Sequence, residues 1–398
     1  MDISRRGKTI QASPIRKFKP LADAAVARGL RVLFINIGDP DIPTPRPILD
    51  AVHEFDQEIL SYGPAQGFLE LRQAVAAYFG SYKIPLTEDN IIITTGGSEA
   101  VFFAFCAVAD PGDEVIIPEP FYTNYNGFAS LADIKIVPLT LKADDGFRLP
   151  PTAEFEARIT PRTRAVVLCS PNNPTGTVYT PEELDRVGAL VKKHNLFLIG
   201  DEVYKEFTYE GLVHKSILEL SGLEDNVIVT DSVSKRFSSC GARIGAFVTR
   251  NERVLEAALR FAQARLCPPS IEQKAALAAY RMGIDFFKPI REEYERRRNV
   301  LFEGVSSIPG TLVLKPQGAF YMVVRLPIKD ADHFVAWMLT EFELDGQTVM
   351  VAPGPGFYST PGRGLDEVRM AYVLNEKDLR EAVRVLRAGL EKYRKLFP

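Results

Sequence analysis

Short apolar runs alternate with longer helical patterns through the middle of the chain, and this alternation is the feature that most constrains the fold. Seven runs rich in Val and Ile occupy residues 91–94, 114–118, 134–139, 165–169, 196–200, 227–230 and 244–249. Several lack a polar alternate position, which is typical of strands buried on both faces. Helical patterns lie between them at 99–109, 181–194 and 252–264. The sequence therefore predicts an α/β fold with a large, mostly parallel seven-stranded sheet. No long helix separates the last two runs, so we expect one of them to run antiparallel.

The pattern changes near residue 285, where a smaller α+β domain is predicted to begin. A charged helix (286–305) is followed by apolar runs at 311–314 and 320–324, a helix at 331–342, a strand near 349–351 and a helix from Glu376. We expect the large domain to span 48–285, and the small domain to combine 1–47 with 286–398. Arg296, Arg297 and Arg298 follow acidic residues on the charged helix, so this basic run is interpreted as a solvated helix face.

Composition narrows the function classes. The 398 residues carry a net charge of −3 and no basic block, which argues against nucleic-acid binding. The four cysteines and four histidines are scattered, so neither a disulfide framework nor a metal site is expected. No apolar run approaches the ~18 residues that span a membrane. Residues 1–19 are polar and basic without an apolar core, so no secretory signal is predicted and we expect a cytoplasmic protein.

The segment 231–245 carries the most informative lysine. Lys235 follows an apolar strand and lies among four serines and a glycine, with Arg243 eight residues later. Small hydroxyl residues leave room for a bulky group and can hydrogen-bond an anion. A lysine reacts with carbonyl compounds only as the free amine, so its pKa must be lowered by burial or by cations such as Arg236 and Arg243. The alternative interpretation is a surface loop of serines and basic residues.

Three further segments lie where predicted strands end. In 94–100, two glycines and Ser98 open a helix, whose free N–H groups form an anion site. Segment 170–177 is a proline-stiffened turn in which the Asn173 amide can donate to a ring oxygen. Asp201 ends another strand, where a buried carboxylate needs a cationic partner such as a protonated ring nitrogen, and Tyr204 follows it. Alone, these segments are equally typical of a helix cap, a rigid turn and a capping Asp.

Taken in order, the four segments resemble those of the aspartate aminotransferase family, which are fold-type I pyridoxal-phosphate enzymes. The resemblance covers the chain from about Ile35 to Tyr393. It implies that Lys235 forms a Schiff base with the cofactor, that Asp201 pairs with its pyridine nitrogen, and that Asn173 and Tyr204 bind its phenolic oxygen. It also implies a phosphate site and a stacking aromatic, formed by Gly96, Gly97, Ser98, Ser232, Ser234, Arg243 and Tyr122, with Phe121 and Tyr125 as alternates for Tyr122.

Three more positions match the family. Arg369 resembles the arginine that clamps the substrate α-carboxylate, for which a planar guanidinium is suited. Gly38 resembles the glycine whose backbone meets the same carboxylate. Tyr62 resembles the tyrosine that reaches the phosphate in the partner subunit, which implies a homodimer with shared active sites.

The resemblance implies an aminotransferase that moves an amino group from an L-amino acid to a 2-oxo acid with ping-pong kinetics. Lys235, once displaced by substrate, would serve as the base. Aspartate and 2-oxoglutarate are the expected substrates if Arg265 binds a distal carboxylate, although a structural role for Arg265 is equally open; Arg16 and Lys17 are weaker candidates. Some relatives place the arginine a few residues earlier, at Ala262 or Gln263 here. Alternatives are an aminotransferase for aromatic, alanine or other neutral amino acids, a C–S β-lyase on the same fold, and a non-catalytic regulator.

Overall fold

The computed structural model describes all 398 residues, and its largest element is a seven-stranded sheet. The strands of the chain are β1 (Arg31–Phe34), β2 (Ile91–Thr94), β3 (Glu114–Glu119), β4 (Lys135–Thr140), β5 (Thr163–Cys169), β6 (Phe197–Asp201), β7 (Val227–Ser232), β8 (Gly245–Val248), β9 (Leu312–Val313), β10 (Tyr321–Arg325), β11 (Gln347–Met350), β12 (Ala352–Pro353) and β13 (Glu367–Ala371). The large sheet has the order β2-β8-β7-β6-β5-β3-β4. Its neighbours from β7 to β4 are parallel, whereas β8 is antiparallel to both β7 and β2. The predicted sheet, including one antiparallel member of the last pair, is confirmed.

Helices account for most of the remaining regular structure. They are α1 (Arg5–Thr9), α2 (Lys19–Ala27), α3 (Arg46–His53), α4 (Leu69–Ser81), α5 (Gly96–Val108), α6 (Asn124–Ala132), α7 (Thr152–Glu156), α8 (Pro181–His194), α9 (Val233–Arg236), α10 (Glu252–Arg265), α11 (Ser270–Tyr280), α12 (Phe287–Ser306), α13 (Ala331–Thr340) and α14 (Glu376–Leu396). No helix is long and apolar enough to cross a membrane.

The large sheet is covered by a separate apolar core on each face. In β5, Val166 and Leu168 belong to one core, whereas Ala165 and Val167 belong to the other. This alternation follows from the two-residue period of a strand. Helices α4 and α8 contribute to the first core, and α5 and α10 to the second. A strand with two buried faces has no polar alternate position, which explains the continuous Val and Ile runs.

A third apolar core joins the two ends of the chain. Strand β1 pairs in parallel with β11, and Phe18 and Ala22 pack in the same core as residues of α13 and α14. A second, four-stranded antiparallel sheet of order β12-β13-β10-β9 lies in this part of the molecule. The N-terminal segment and the C-terminal part therefore share one core.

The expectation that residues 296–298 form a solvated helix face is wrong for two of the three arginines. Arg296 is exposed, but Arg297 and Arg298 are buried on the inner side of α12. Arg297 forms ion pairs with Asp41 and Glu293, and Arg298 donates to the Pro316 carbonyl at 2.6 Å. Because these guanidiniums find partners on other segments, their burial depends on tertiary contacts that the local sequence does not reveal.

Candidate active site

Three neighbouring parallel strands end at the same edge of the large sheet. Strand β5 leads into Asn173, β6 ends at Asp201, and β7 leads into α9, which carries Lys235. Ser232 caps that short helix, because its side chain accepts a hydrogen bond from the Ser234 N–H. The carboxyl edge of a parallel sheet is where α/β proteins bind ligands. The strand order thus brings together three of the side chains predicted from the sequence.

Lys235 lies in a partly buried position with two contacts to its amine. Nζ donates to the Gly38 carbonyl at 2.9 Å and lies 3.5 Å from Cys240 Sγ. Burial lowers the pKa of Lys235, but Tyr321, Cys240 and Tyr122 outweigh burial, and the pKa is raised overall. The expectation of a lowered pKa is therefore wrong for this structure, and Arg236, which pairs with Asp231 and lies beside Glu206, does not lower it.

Asp201 is a buried carboxylate with one oxygen satisfied and one free. Oδ2 accepts a 2.7 Å hydrogen bond from the Tyr125 hydroxyl, whereas Oδ1 has no partner. Burial raises the pKa of Asp201 to about 6, although the Tyr125 hydrogen bond opposes this rise. Buried polar atoms are normally hydrogen-bonded, so the free oxygen marks the place of a missing donor. A protonated pyridine nitrogen is a donor of the right chemistry for this oxygen.

Arg369 is a buried cation without a carboxylate partner. Its side chain leaves β13, with only 2% of the residue exposed, and donates to Asn173 Oδ1 at 2.9 Å and to the Asn36 carbonyl at 2.5 Å. Nε has no partner, and the Tyr321 ring centroid lies 4.4 Å from the guanidinium carbon. Burial lowers the pKa of Arg369. A buried guanidinium that lacks an anion is suited to a carboxylate ligand.

The glycine-rich first turn of α5 faces Arg243. A Cβ added to Gly96, whose φ is +75°, would overlap the Arg243 guanidinium, so this approach requires glycine. Gly97 and Ser98 follow in the first turn of α5, where backbone N–H groups have no helical partner. On the adjacent segment, Ser232 Oγ lies 2.8 Å from Ser234 Oγ. The turn, two hydroxyls and a guanidinium thus form a cradle of donors that fits a phosphate.

Two tyrosines that are predicted to contact the cofactor ring, Tyr204 and Tyr122, lie beside the carboxyl edge of the large sheet. Tyr204 is buried, and its hydroxyl is 2.9 Å from that of Tyr321. Tyr122 is half-buried and accepts a 2.8 Å hydrogen bond from Asn124. Its ring packs edge-on against Tyr125, with centroids 5.6 Å apart. Of the alternates to Tyr122, Tyr125 is instead tied to Asp201, and Phe121 is buried.

Two predicted residues, Tyr62 and Arg265, form no hydrogen bond or ion pair with the other predicted site residues. Tyr62 is 80% exposed. Arg265 donates to the Ala65 carbonyl at 3.0 Å and the Ile93 carbonyl at 3.3 Å, and pairs with Glu99 at 3.3 Å. These contacts give Arg265 a structural role at the end of α10. Its recognition of a distal carboxylate stays a prediction.

Sequence reasoning missed three residues that touch the predicted ones. Tyr321 contacts Tyr204 and Arg369, Cys240 lies beside Lys235, and Asn36 accepts from Arg369. Tyr321 and Asn36 lie outside the four motif segments. Cys240 lies within the segment 231–245, but nothing in the local sequence distinguishes it. The one available signal was the glycine at position 38. A Cβ there would overlap the Tyr321 hydroxyl, so the close approach of Tyr321 requires glycine.

Comparison with known proteins places this geometry in a family. The family model described as aminotransferase class I and II matches residues 32–386. The chain belongs to the class I and II aminotransferase family. The predicted fold-type I architecture and the prediction of a pyridoxal-phosphate-dependent aminotransferase are thereby confirmed. Enzymes of this family act on amino acids and 2-oxo acids.

Individual relatives of the aminotransferase match over nearly their whole length. The aspartate aminotransferase of Bacillus subtilis (strain 168) is 32% identical, covering 99% of this chain and 100% of the relative. Aromatic-amino-acid aminotransferase 2 of Thermococcus litoralis is 33% identical, with 95% and 100% covered. The solved structure of the Thermus thermophilus aspartate aminotransferase with maleate superimposes with a TM-score of 0.89 at 30% identity, with 98% and 100% covered.

Proposed function

We propose that this aminotransferase transfers the amino group of an L-amino acid, with aspartate favoured, to a 2-oxo acid such as 2-oxoglutarate in two successive half-reactions. One observation carries the proposal: the amine of Lys235, the free oxygen of Asp201 and the unpaired guanidinium of Arg369 converge at one sheet edge. These are a reactive amine, an anion for a ring nitrogen and a cation for a carboxylate. Relatives named aspartate aminotransferase support the choice of donor.

The chain's own residues supply the binding contacts for pyridoxal phosphate. Asp201 would pair with the ring nitrogen, Tyr122 would stack on the ring, and Asn173 and Tyr204 would bind its phenolic oxygen. The proposed phosphate contacts are Gly96, Gly97, Ser98, Ser232, Ser234 and Arg243, joined by Tyr62 from a second copy of the chain. When bound, the cofactor supplies an electron-withdrawing ring that stabilises negative charge at the substrate α-carbon.

Catalysis by the protein then depends on three side chains. Arg369 holds the substrate α-carboxylate, with the Gly38 backbone beside it, and so orients the Cα–H bond. Lys235 Nζ, in its uncharged form, takes the α-proton. Asp201 has a pKa of about 6 because of burial, so its carboxylate is ionised at neutral pH and keeps its partner nitrogen protonated.

A second candidate is transfer from aromatic, alanine or other neutral donors. The observation that favours it is the anchoring of Arg265 by Glu99 and two carbonyls, which leaves this guanidinium poorly placed to bind a distal carboxylate. Comparing kcat/KM for L-aspartate, L-alanine and L-phenylalanine separates the two candidates. A C–S β-lyase, in contrast, would turn over its substrate continuously without any 2-oxo acid acceptor.

We further propose a cytoplasmic homodimer with two domains. Ile59, Leu60 and Tyr62 are strongly exposed together, which is typical of a surface covered by another subunit, and the four cysteines are unpaired. Residues 48–285 would form the large domain, and 1–47 with 286–398 the small one. Sedimentation equilibrium tests the dimer, and a monomeric mass would contradict it. Cell fractionation tests the location, and recovery outside the cytosolic fraction would contradict it. Limited proteolysis tests the domain boundaries.

The lysine assignment is tested by Lys235→Ala. Loaded with pyridoxal phosphate, the wild-type protein is expected to show near-visible absorbance from the Lys235 linkage, and the variant should lose it. Turnover should fall by roughly 10²–10⁴-fold or more, because the base is gone. Lys192→Ala, an exposed lysine on α8, is the matched control and should keep both properties. An undiminished band in the Lys235→Ala variant would refute the assignment.

A further inference from the structure

Cys240 links the reactive lysine to the predicted phosphate cradle. It begins a one-turn 3-10 helix, Cys240–Ala242, between Lys235 and Arg243. Its Sγ lies 3.5 Å from Lys235 Nζ and 3.2 Å from the Ser234 carbonyl, to which the thiol donates. Its carbonyl accepts a 2.9 Å hydrogen bond from Arg243 Nη1. One residue thus contacts the amine, the backbone of the lysine helix and the guanidinium.

The Lys235 amine is held between two segments. The Gly38 carbonyl contacts it from the N-terminal loop, and the Cys240 thiol contacts it from its own segment. A lysine side chain has many rotamers, so holding it in one of them costs conformational entropy. Two contacts from different segments define the position of Nζ far better than one.

We propose that Cys240 is a positioning residue. Its thiol holds the Lys235 amine beside the substrate α-carbon and at a fixed position relative to the phosphate cradle. This inference rests on the proposed function, because it concerns the lysine as base and as amine. A thiol suits the task in both protonation states of its partner. Its sulfur accepts an N–H from the ammonium or from the free amine, while its single S–H is donated to the Ser234 carbonyl.

The surrounding groups decide which way the pKa of Lys235 should move when the thiol is removed. The titratable groups facing the pair are Tyr122 and Tyr321 around Lys235, and Asp39 beside Cys240. Burial raises the pKa of Cys240, although Lys235 opposes the rise, so the thiol is protonated at neutral pH. It acts on the ammonium as an acceptor, which favours the charged form. Removing it should lower the pKa of Lys235.

The test uses cofactor-free protein and measures the rate of pyridoxal phosphate capture against pH, read by near-visible absorbance. Capture requires the uncharged amine, so its acid limb reports the pKa of Lys235. In Cys240→Ala, this limb should shift to lower pH by about half to one unit, which raises capture at neutral pH roughly 3–10-fold. In the same variant, kcat should fall with little change in KM, because the base is misplaced. A packing defect would instead slow both processes.

Two matched variants complete the experiment. Cys240→Ser keeps a hydroxyl that donates and accepts, and should retain the wild-type limb. Cys106→Ala makes the same change on α5 and should have no effect. A Cys240→Ala profile that overlays the wild type, or capture slowed equally at every pH, would overturn the role of Cys240 alone. If the wild-type protein captures no pyridoxal phosphate at Lys235, the proposed function fails, and this inference fails with it.

Discussion

At Asp201, the free carboxylate oxygen that we propose for the cofactor is unfavourable for the stability of the cofactor-free protein. The Asp201 carboxylate is buried with one free oxygen, and burial raises its pKa to about 6. The folded protein therefore binds more protons at this site than the unfolded chain between about pH 4 and pH 6. The stability associated with this proton is present below about pH 4 and is lost as the pH rises through about 6. At neutral pH the cofactor-free protein carries an ionised, half-satisfied carboxylate.

Replacing Asp201 with Asn should accordingly stabilise the cofactor-free protein while abolishing function. Above about pH 7 we expect an increase of roughly 1–3 kcal/mol in the free energy of unfolding, because the buried charge is removed. Below about pH 4 the difference should vanish, since Asp201 is then protonated. Urea unfolding at several pH values measures this difference in unfolding free energy between the variant and the wild type.

Tyr125→Phe is the control for Asp201→Asn, because it should change the free energy of unfolding in the opposite direction. It removes the hydrogen bond that supports the ionised carboxylate, so it should destabilise the protein at neutral pH. A Tyr125→Phe variant with unchanged stability would remove the support for this account of the carboxylate. So would an Asp201→Asn variant that is less stable than the wild type at pH 8.

At the scale of elements, a buried ionic cluster fixes the turn that carries Lys235 against the segment after β6. Arg236 pairs with Asp231 and lies 3.3 Å from Glu206, while Lys205 Nζ lies 3.0 Å from Asp231. All four side chains are buried. Burial raises the pKa of Glu206 to about 8, despite its proximity to Arg236. Arg236 is the neighbour of Lys235 in sequence, but the Lys235 amine contacts Gly38 and Cys240 rather than this cluster.

Removing the Arg236 guanidinium should therefore be costly. Arg236→Met leaves the buried Asp231 carboxylate with Lys205 as its one remaining cation, whereas Glu206, with a pKa of about 8, is mostly protonated at neutral pH and adds no unpaired charge. We therefore expect a loss of about 3 kcal/mol in unfolding free energy. Arg260→Met is the matched control, because its pair with Glu256 is exposed by 68% and 65%; it should change stability by no more than about 0.5 kcal/mol. Superimposable urea curves for the two variants would show that the cluster does not fix the turn.

The elements also show how far sequence reasoning extends. Val and Ile runs located all seven strands of the large sheet, because strands with two buried faces have a local pattern. The same reasoning failed for Arg297 and Arg298, whose partners Asp41 and Pro316 lie on other segments. Tyr125 was named only as an alternate to Tyr122 for ring stacking, since nothing local shows that its hydroxyl donates to Asp201.

At the scale of the whole molecule, the site is assembled from both parts of the chain. Arg369 on the four-stranded sheet reaches Asn173 beside the large one, and the N-terminal loop brings the Gly38 carbonyl to Lys235. The parallel pairing of β1 with β11, which joins residues 31–34 to 347–350, has no local sequence signal. The ordered motifs nevertheless named residues that the structure brings together, because the strands before Asn173, Asp201 and Lys235 are parallel neighbours that end at one edge.

Amino transfer in two half-reactions has a specific signature in single-turnover stoichiometry. Protein loaded with pyridoxal phosphate and freed of excess is mixed with L-aspartate, L-alanine or L-phenylalanine without an acceptor. We predict that the preferred donor releases about one equivalent of its 2-oxo acid per chain and then stops, until 2-oxoglutarate restores turnover. Continuous product without an acceptor, or no 2-oxo acid until both substrates are present, would contradict the account.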